Sequence, residues 1–148
     1  MDKNIIIING PNLNLTGKRE ESVYGKKSFD IYLKEDLLPY SKKTGLNLEY
    51  YQSNHEGAII DKIHTCMGSM DFIIINPGAL THYSYSIHDA LVASGIPAVE
   101  VHMSNIFSRE KWRSNSVISP AVVGIISGFG LKSYMLALEC VKEKQFIV

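Results

Sequence analysis

Glu100, His102 and Ser104 stand at alternate positions just after the apolar run Ile96-Pro97-Ala98-Val99. Side chains alternate along a β-strand, so Glu100 and His102 share a side, with backbones about 6.5–7 Å apart. A carboxylate placed there can orient an imidazole and hold a proton on it, which is the equipment of an acid–base site. A polar strand end meeting water is the plain alternative. Two further apolar runs end in the same way, in Asn9-Gly10-Pro11-Asn12 and in Asn76-Pro77-Gly78-Ala79-Leu80-Thr81-His82. Arg109 and Arg113, four residues apart, would share one helical face and could turn guanidinium groups toward these ends. A solvated basic face is the alternative for that pair.

The connection from Gly10 to Lys27 adds Asn12, Asn14, Arg19 and Tyr24. Unstructured connections of this length in compact domains are usually lids or binding loops, or else disordered, and its aromatic and asparagines favour a lid. Tyr24 is a candidate base and His102 a candidate acid. Only about one tyrosine in a thousand is ionised near neutral pH, given an unperturbed pKa of about 10. A neighbouring guanidinium favours the phenolate, and Arg19 lies five residues away in the same loop.

β-rich apolar runs alternate with helical patterns. Strands are predicted at about Asn4–Asn9, Leu46–Gln52, Asp71–Asn76, Pro97–Val101 and Val122–Ser127. Ser28 can cap a helix that turns Phe29, Tyr32, Leu33, Leu37 and Leu38 inward and ends before Gly45. Asn54 can cap a second helix with an apolar stripe of Ile59, Ile60, Ile63 and Met67. A third runs over Tyr85–Ser94 with Ile87 and Leu91 inward and stops at Gly95. A short helical turn holds Arg109–Arg113. The last helix runs from about Leu131 to Lys144, with Leu131, Tyr134, Met135, Leu138 and Val141 inward. Strands apolar on both faces, separated by amphipathic helices, imply a parallel sheet covered on both sides. Five such units fit an α/β flavodoxin-like three-layer sandwich with a five-stranded parallel sheet. In such a sheet ligands bind beyond the C-terminal strand ends, where strand order reverses. The three polar strand ends are the residues that leave the sheet there.

At 148 residues the chain is expected to be one domain, 1–148, with a sizeable core. Lys+Arg 15 balances Asp+Glu 15, and no block of like charge occurs, which argues against nucleic acid or an anionic membrane as the main partner. No run approaches the roughly 20 apolar residues that span a bilayer, and the N-terminal Asn4-Ile5-Ile6-Ile7-Ile8-Asn9 is too short for a signal-peptide core. Cys66 and Cys140 form no CxxC and read as buried free thiols of a reducing cytoplasm. No GxGxxG or GxxxxGK[ST] follows the first strand, so a dinucleotide or P-loop site lacks its phosphate cradle. His82, His88 and His102 have no zinc-site spacing. Glu100, His102 and Ser104 lie in a line and no GxSxG elbow is present, which disfavours a hydrolase triad. Acid–base chemistry without a cofactor remains. Beside it stand a flavodoxin-like module that binds a small carboxylate or FMN without chemistry, and a pure scaffold. A scaffold leaves the long loop and the convergent strand ends without a reason.

The ordered set of segments resembles the type II 3-dehydroquinate dehydratases. The matching stretches are Asn9-Gly10-Pro11-Asn12-Leu13-Asn14-Leu15, Gly17-Lys18-Arg19-Glu20 with Val23-Tyr24-Gly25, Gln52-Ser53-Asn54-His55-Glu56-Gly57 and Ile75-Asn76-Pro77-Gly78-Ala79 with Thr81-His82. They continue through Asp89-Ala90-Leu91, Val99-Glu100-Val101-His102-Met103-Ser104-Asn105, Arg109-Glu110 with Arg113, and Gly128-Phe129-Gly130, and cover nearly the whole chain. The resemblance implies a flavodoxin-like fold and loss of water from 3-dehydroquinate, the small-molecule substrate, to give 3-dehydroshikimate, a reaction shared by aromatic biosynthesis (the shikimate pathway) and quinate breakdown. It implies no metal, no organic cofactor and no lysine Schiff base. On that pattern Tyr24, helped by Arg19, removes the proton beside the ketone, and Asn12 stabilises the enolate through a water. His102, held by Glu100, protonates the departing hydroxyl. Asn76 and the backbone N–H groups of Met103 and Ser104 take the substrate carboxylate, His82 and Arg113 hold ring hydroxyls, and Arg109 closes the lid. Asp89 reaches a neighbouring subunit's site in a trimer, and trimers assemble into a dodecamer, a cytoplasmic homo-oligomer. Phe107, where relatives often carry histidine, and Tyr83-Ser84-Tyr85 with His88 depart from the family's commoner residues. These departures bear on lid packing, subunit contacts and affinity.

Overall fold

The computed structural model describes residues 2–18, 22 and 26–143. Strands β1 (Lys3–Asn9), β2 (Leu46–Gln52), β3 (Phe72–Asn76), β4 (Ala98–His102) and β5 (Gly124–Ser127) form one sheet in the order β2-β1-β3-β4-β5. Every neighbouring pair is parallel. The period of two along β1 assigns its isoleucines to opposite layers. Ile5 and Ile7 pack with Phe29, Leu37, Tyr134 and Leu138 on one face, and Ile6 and Ile8 with Ile59, Ile63, Ile87 and Leu91 on the other. Burial on both faces is what the unbroken isoleucine run requires. The result is an α/β three-layer sandwich with flavodoxin-like strand order, as the alternating patterns predict.

The helices differ from their predicted forms in instructive ways. Helix α1 comprises Phe29–Tyr32, a π-helical stretch Leu33–Leu37 and Leu38–Thr44. Ser28 caps it, its Oγ accepting from the Ile31 N–H at 3.2 Å, and Gly45 ends it in the left-handed region at φ 73°. Pro39 has no N–H for the helical ladder, and the wider π turn moves the following residues around the axis. Leu38, predicted inward, is therefore exposed, and Ser41 is buried instead.

Helix α2 (Glu56–Cys66) begins after His55 with no side-chain cap. The expected cap, Asn54, instead accepts from the Asn12 N–H and from Gln52 Nε2. Met67, expected in the α2 stripe, is exposed, because the chain leaves the helix at that residue with ψ 126°. Cys66 takes the buried position. Helix α3 (Tyr85–Ser94) matches its expected bounds and ends at Gly95 with φ 67°. Helix α4 (Lys132–Glu143) buries Tyr134, Ala137, Leu138 and Val141. Cys140, expected to be buried, is exposed on its outer side.

Strand β4 starts and ends one residue later than predicted. Pro97 cannot donate to a ladder, though its carbonyl accepts from Ile73 N–H at 3.0 Å. The shift brings His102 into the strand. Strand β5 is shorter than predicted because Ser119–Ala121 forms a 3-10 turn containing Pro120. The expected helical turn over Arg109–Arg113 is two separate 3-10 turns, Ile106–Ser108 and Lys111–Ser114, with Arg109 extended between them. Among the described residues no helix is long and apolar enough to cross a membrane.

Candidate active site

Parallel register brings three strand ends to one level. Asn9 of β1 stands beside Asn76 of β3, Glu100 of β4 beside Ile75, and His102 beside Ser127 of β5. The turns leaving β1 and β3 then touch backbone to backbone. The Gly10 N–H donates to the Asn76 carbonyl at 2.8 Å, and a Cβ on Gly10 would lie only 2.4 Å from the Pro77 oxygen. Between these turns and the chain after β4 lies a crevice. Asn12, Asn76, His82, His102, Met103, Ser104, Arg109 and Arg113 all line it. Arg109 and Arg113 reach it without the shared helical face that their spacing suggested. Arg19 and Tyr24 lie outside the described residues.

At the floor of the crevice Glu100 is 0% exposed and His102 5% exposed. His102 Nε2 and Glu100 Oε2 are 2.7 Å apart. The shared side expected of alternate strand residues is therefore realised, but as a buried pair and not as a strand end in water. A buried carboxylate is stable only when its oxygens are filled with donors. Besides His102, Glu100 accepts from Ser116 Oγ at 2.8 Å and from Ser119 Oγ at 3.1 and 3.3 Å. Nothing in their spacing marks these two serines, and only the fold reveals what they face.

Asn76 is set by a second network. Tyr134 is wholly buried, and its hydroxyl donates to Asn9 Oδ1 at 2.8 Å. Its one proton being spent there, the Tyr134 oxygen accepts from Asn76 Nδ2 at 2.9 Å. Asn76 Oδ1 correspondingly accepts the Gly78 N–H at 3.2 Å. The amide orientation is thus fixed, and its second N–H is the group Asn76 can offer to a ligand. Burial drives the Tyr134 hydroxyl strongly toward its neutral form, against the opposing pull of its asparagine partners. Tyr134 and Asn9 had appeared only as a core residue and a strand terminus in the sequence.

On the far wall, His82 Nδ1 lies 2.7 Å from the Asn115 carbonyl, so that nitrogen carries the proton. Burial lowers the His82 pKa below its ordinary 6.5, as do His102 and Arg113, while the Asn115 carbonyl and Glu100 oppose the shift. A neutral ring with a protonated Nδ1 presents Nε2 as an acceptor. Trp112, which belongs to no motif in the sequence, meets the His82 ring edge-on at 5.1 Å and underlies the Arg113 guanidinium at 4.1 Å. Arg113 Nε also donates to Glu110 Oε2 at 2.5 Å, and this bond holds the Glu110 carboxyl below the usual range. Arg109 Nη1 donates to Ser104 Oγ at 3.2 Å.

Asn12 takes the left-handed conformation at φ 69°, which asparagine tolerates better than most residues. Its N–H is anchored on Asn54 Oδ1 at 2.9 Å, and Gln52 Nε2 braces the same turn through the Gly10 carbonyl at 3.2 Å. Asp89 is not in this crevice. It lies on α3 with its side chain 83% exposed, 3.1 Å from His88 Nδ1. No group of three or more His, Cys, Asp or Glu placed to hold a metal occurs among the described residues.

A parallel sheet of this order, with a polar crevice beyond its strand ends and an imidazole–carboxylate pair at its floor, defines a flavodoxin-like α/β protein of the enzyme type. Residues 3–142 match the family model described as dehydroquinase class II, and the chain belongs to that family. A relative named 3-dehydroquinate dehydratase from Caldicellulosiruptor bescii is 55% identical over 142 residues, covering 95% of this chain and 97% of the relative. One of the same name from Dictyoglomus turgidum is 51% identical over 137 residues, covering 93% and 94%. The crystal structure of a type II dehydroquinase from Butyrivibrio crossotus superposes with a TM-score of 0.91 at 48% identity, covering 95% of this chain and 97% of the other.

Proposed function

We propose that this chain, acting as one catalytic domain, dehydrates 3-dehydroquinate to 3-dehydroshikimate in the shikimate pathway. The observation that carries the assignment of roles is the buried Glu100–His102 pair opening on the crevice. Tyr24, with its phenolate favoured by Arg19, takes the proton from the carbon beside the ketone. The electron pair moves into the carbonyl to give an enolate, whose oxygen Asn12 steadies through a bound water. The enolate collapses and expels the β-hydroxyl, His102 supplies its proton, and water leaves. His102 engages Glu100 through Nε2, so Nδ1 is the nitrogen that faces the leaving group. No step calls for a metal or an organic cofactor.

The fixed Asn76 N–H and the backbone at Met103 and Ser104 would hold the substrate carboxylate, since oriented N–H groups suit an anion in a protein of no net charge. His82 Nε2 would accept from a ring hydroxyl and Arg113 would donate to another. Arg109 would close over the ring and strengthen the charge interactions beneath it. Asp89 points away from its own crevice and would serve a neighbouring subunit within a trimer, with trimers assembling into a dodecamer. Exposed Phe107, Ile125 and Phe129 along the free edge of β5 supply apolar surface suited to such contacts.

The test is the ultraviolet absorbance of the conjugated enone when purified protein meets 3-dehydroquinate, with Tyr24→Phe beside it. Wild type should turn over and the variant should lose about 10²–10⁴-fold, the usual span for a lost general base. A folded, fully assembled wild type without turnover would sink the dehydratase reading in favour of a carboxylate-binding module.

A further inference from the structure

We infer that Ser116 and Ser119 are positioning residues that hold the Glu100 carboxylate in place and so fix the His102 ring against it. The inference rests on the dehydratase reading for its kinetic consequence, though not for its geometry. Ser116 Oγ accepts from the backbone N–H groups of Ile118 at 3.2 Å and Ser119 at 3.0 Å. Both its acceptor sites are thereby occupied, and its hydroxyl proton has one place to go, Glu100 Oε1 at 2.8 Å. Ser119 Oγ shares its proton between both carboxylate oxygens at 3.1 and 3.3 Å. The backbone after the arginine-bearing turns therefore dictates donors toward Glu100. A protonated Glu100 would bring its own hydrogen against these donors. The ionised form accepts them all together with His102 Nε2–H, which fixes the ring and directs its other nitrogen into the crevice, where the doubly protonated imidazolium has an Nδ1–H to give.

Other groups face the pair across the crevice, namely the titratable His82 and the charged Arg113 and Arg109. Their contribution is common to wild type and serine variants, so a difference between the two reports on Glu100. Hydrogen bonds to a charged group are among the stronger ones, so losing both hydroxyls should loosen the carboxylate's hold on His102.

The experiment compares wild type, Ser119→Ala, Ser116→Ala/Ser119→Ala and Ser116→Thr with 3-dehydroquinate across pH. Among the described residues Ser119 Oγ bonds only Glu100, so Ser119→Ala removes a donor without releasing a backbone group and guards against a variant that fails to fold. We expect kcat to fall at least tenfold in the double variant with KM little changed. The acid limb of the kcat profile should move upward, and Ser116→Thr should retain near wild-type behaviour. Solid-state ¹⁵N NMR of histidine-labelled protein gives a readout without turnover. The His102 Nε2 signal should show its low-pH step displaced upward in Ser119→Ala and further in the double variant. Folded variants with an unmoved Nε2 step, or with wild-type kcat and an unmoved acid limb, overturn the inference. A wild type that lacks turnover overturns the dehydratase reading instead, while the Nε2 step still decides the role of the serines.

Discussion

The proposed acid is a single imidazole whose surroundings were assembled from three places in the chain. His102 owes its burial to β4, its partner to the residue two before it, and the partner's placement to serines 14 residues and more downstream of His102. Truncation to His102→Ala removes the proton donor and leaves Glu100 with its two serine donors, so the carboxylate is not stranded. The variant should therefore fold, with a lowered thermal midpoint because Glu100 Oε2 keeps only the shared Ser119 bond, and lose about 10²–10⁴-fold in kcat. Unchanged turnover in a steady-state comparison would mean that another group protonates the leaving hydroxyl. His82 cannot readily take over. Its Nδ1 proton is given to Asn115, and burial keeps the ring neutral at pH 7, where it accepts at Nε2 and does not donate.

At the scale of elements, the turns after β1 and β3 decide whether the crevice exists. Gly10 is needed for space and not for a left-handed backbone. Its missing Cβ lets the β1 turn lie against the Pro77 carbonyl, and backbone on the other side cannot rotate away as a side chain could. Gly10→Ala should destabilise the fold by about 1–3 kcal/mol, the usual cost of forcing atoms into packed space, and should raise KM because Asn12 and Asn76 move apart. Urea denaturation and steady-state kinetics on the same preparation check both effects, and wild-type values of both would show that the two turns are free to separate.

The elements themselves were largely legible in sequence. Long isoleucine runs can satisfy a parallel strand on both faces, Ser28 and Gly45 bracket α1, and Gly95 ends α3, because these signals act locally. Leu38, Met67 and the Asn54 cap depart from expectation where another feature overrides the local pattern, respectively a π turn beside Pro39, an early helix exit, and the Asn12 N–H competing for a side chain. The crevice was legible as three polar strand ends, since Glu100 and His102 are linked by strand periodicity alone. Ser116, Ser119, Tyr134 and Trp112 were not. Their contacts cross between elements, and nothing in their spacing records what lies opposite.

At the scale of the whole molecule, core and site are joined through buried tyrosine. Tyr134 packs edge-on against Phe29 in the layer beneath α1 and α4, and its hydroxyl orients Asn76 at the crevice. Tyr50 stacks on the same Phe29, and burial pushes its pKa up to about 12. Burial raises Tyr134 as well. In the unfolded chain both ionise near 10, so above that pH the unfolded state sheds protons that the folded state retains. Stability from these groups is complete below about pH 10 and is lost as pH rises toward the folded values. Tyr134 alone should remove about 1.4 kcal/mol per pH unit in that range. Tyr134→Phe separates its two contributions. Near pH 8 the variant should be less stable by about 1–3 kcal/mol, because Asn9 Oδ1 and Asn76 Nδ2 lose a buried partner, and KM should rise severalfold as Asn76 loosens. From pH 10 to 11 its urea midpoint should decline less steeply than that of wild type, because one suppressed ionisation is gone. Surface lysines titrate alike in both proteins and cancel in the difference. Parallel declines would show that Tyr134 ionises without unfolding the chain, and the link between the alkaline limit of the fold and the asparagine that lines the crevice would have to be abandoned.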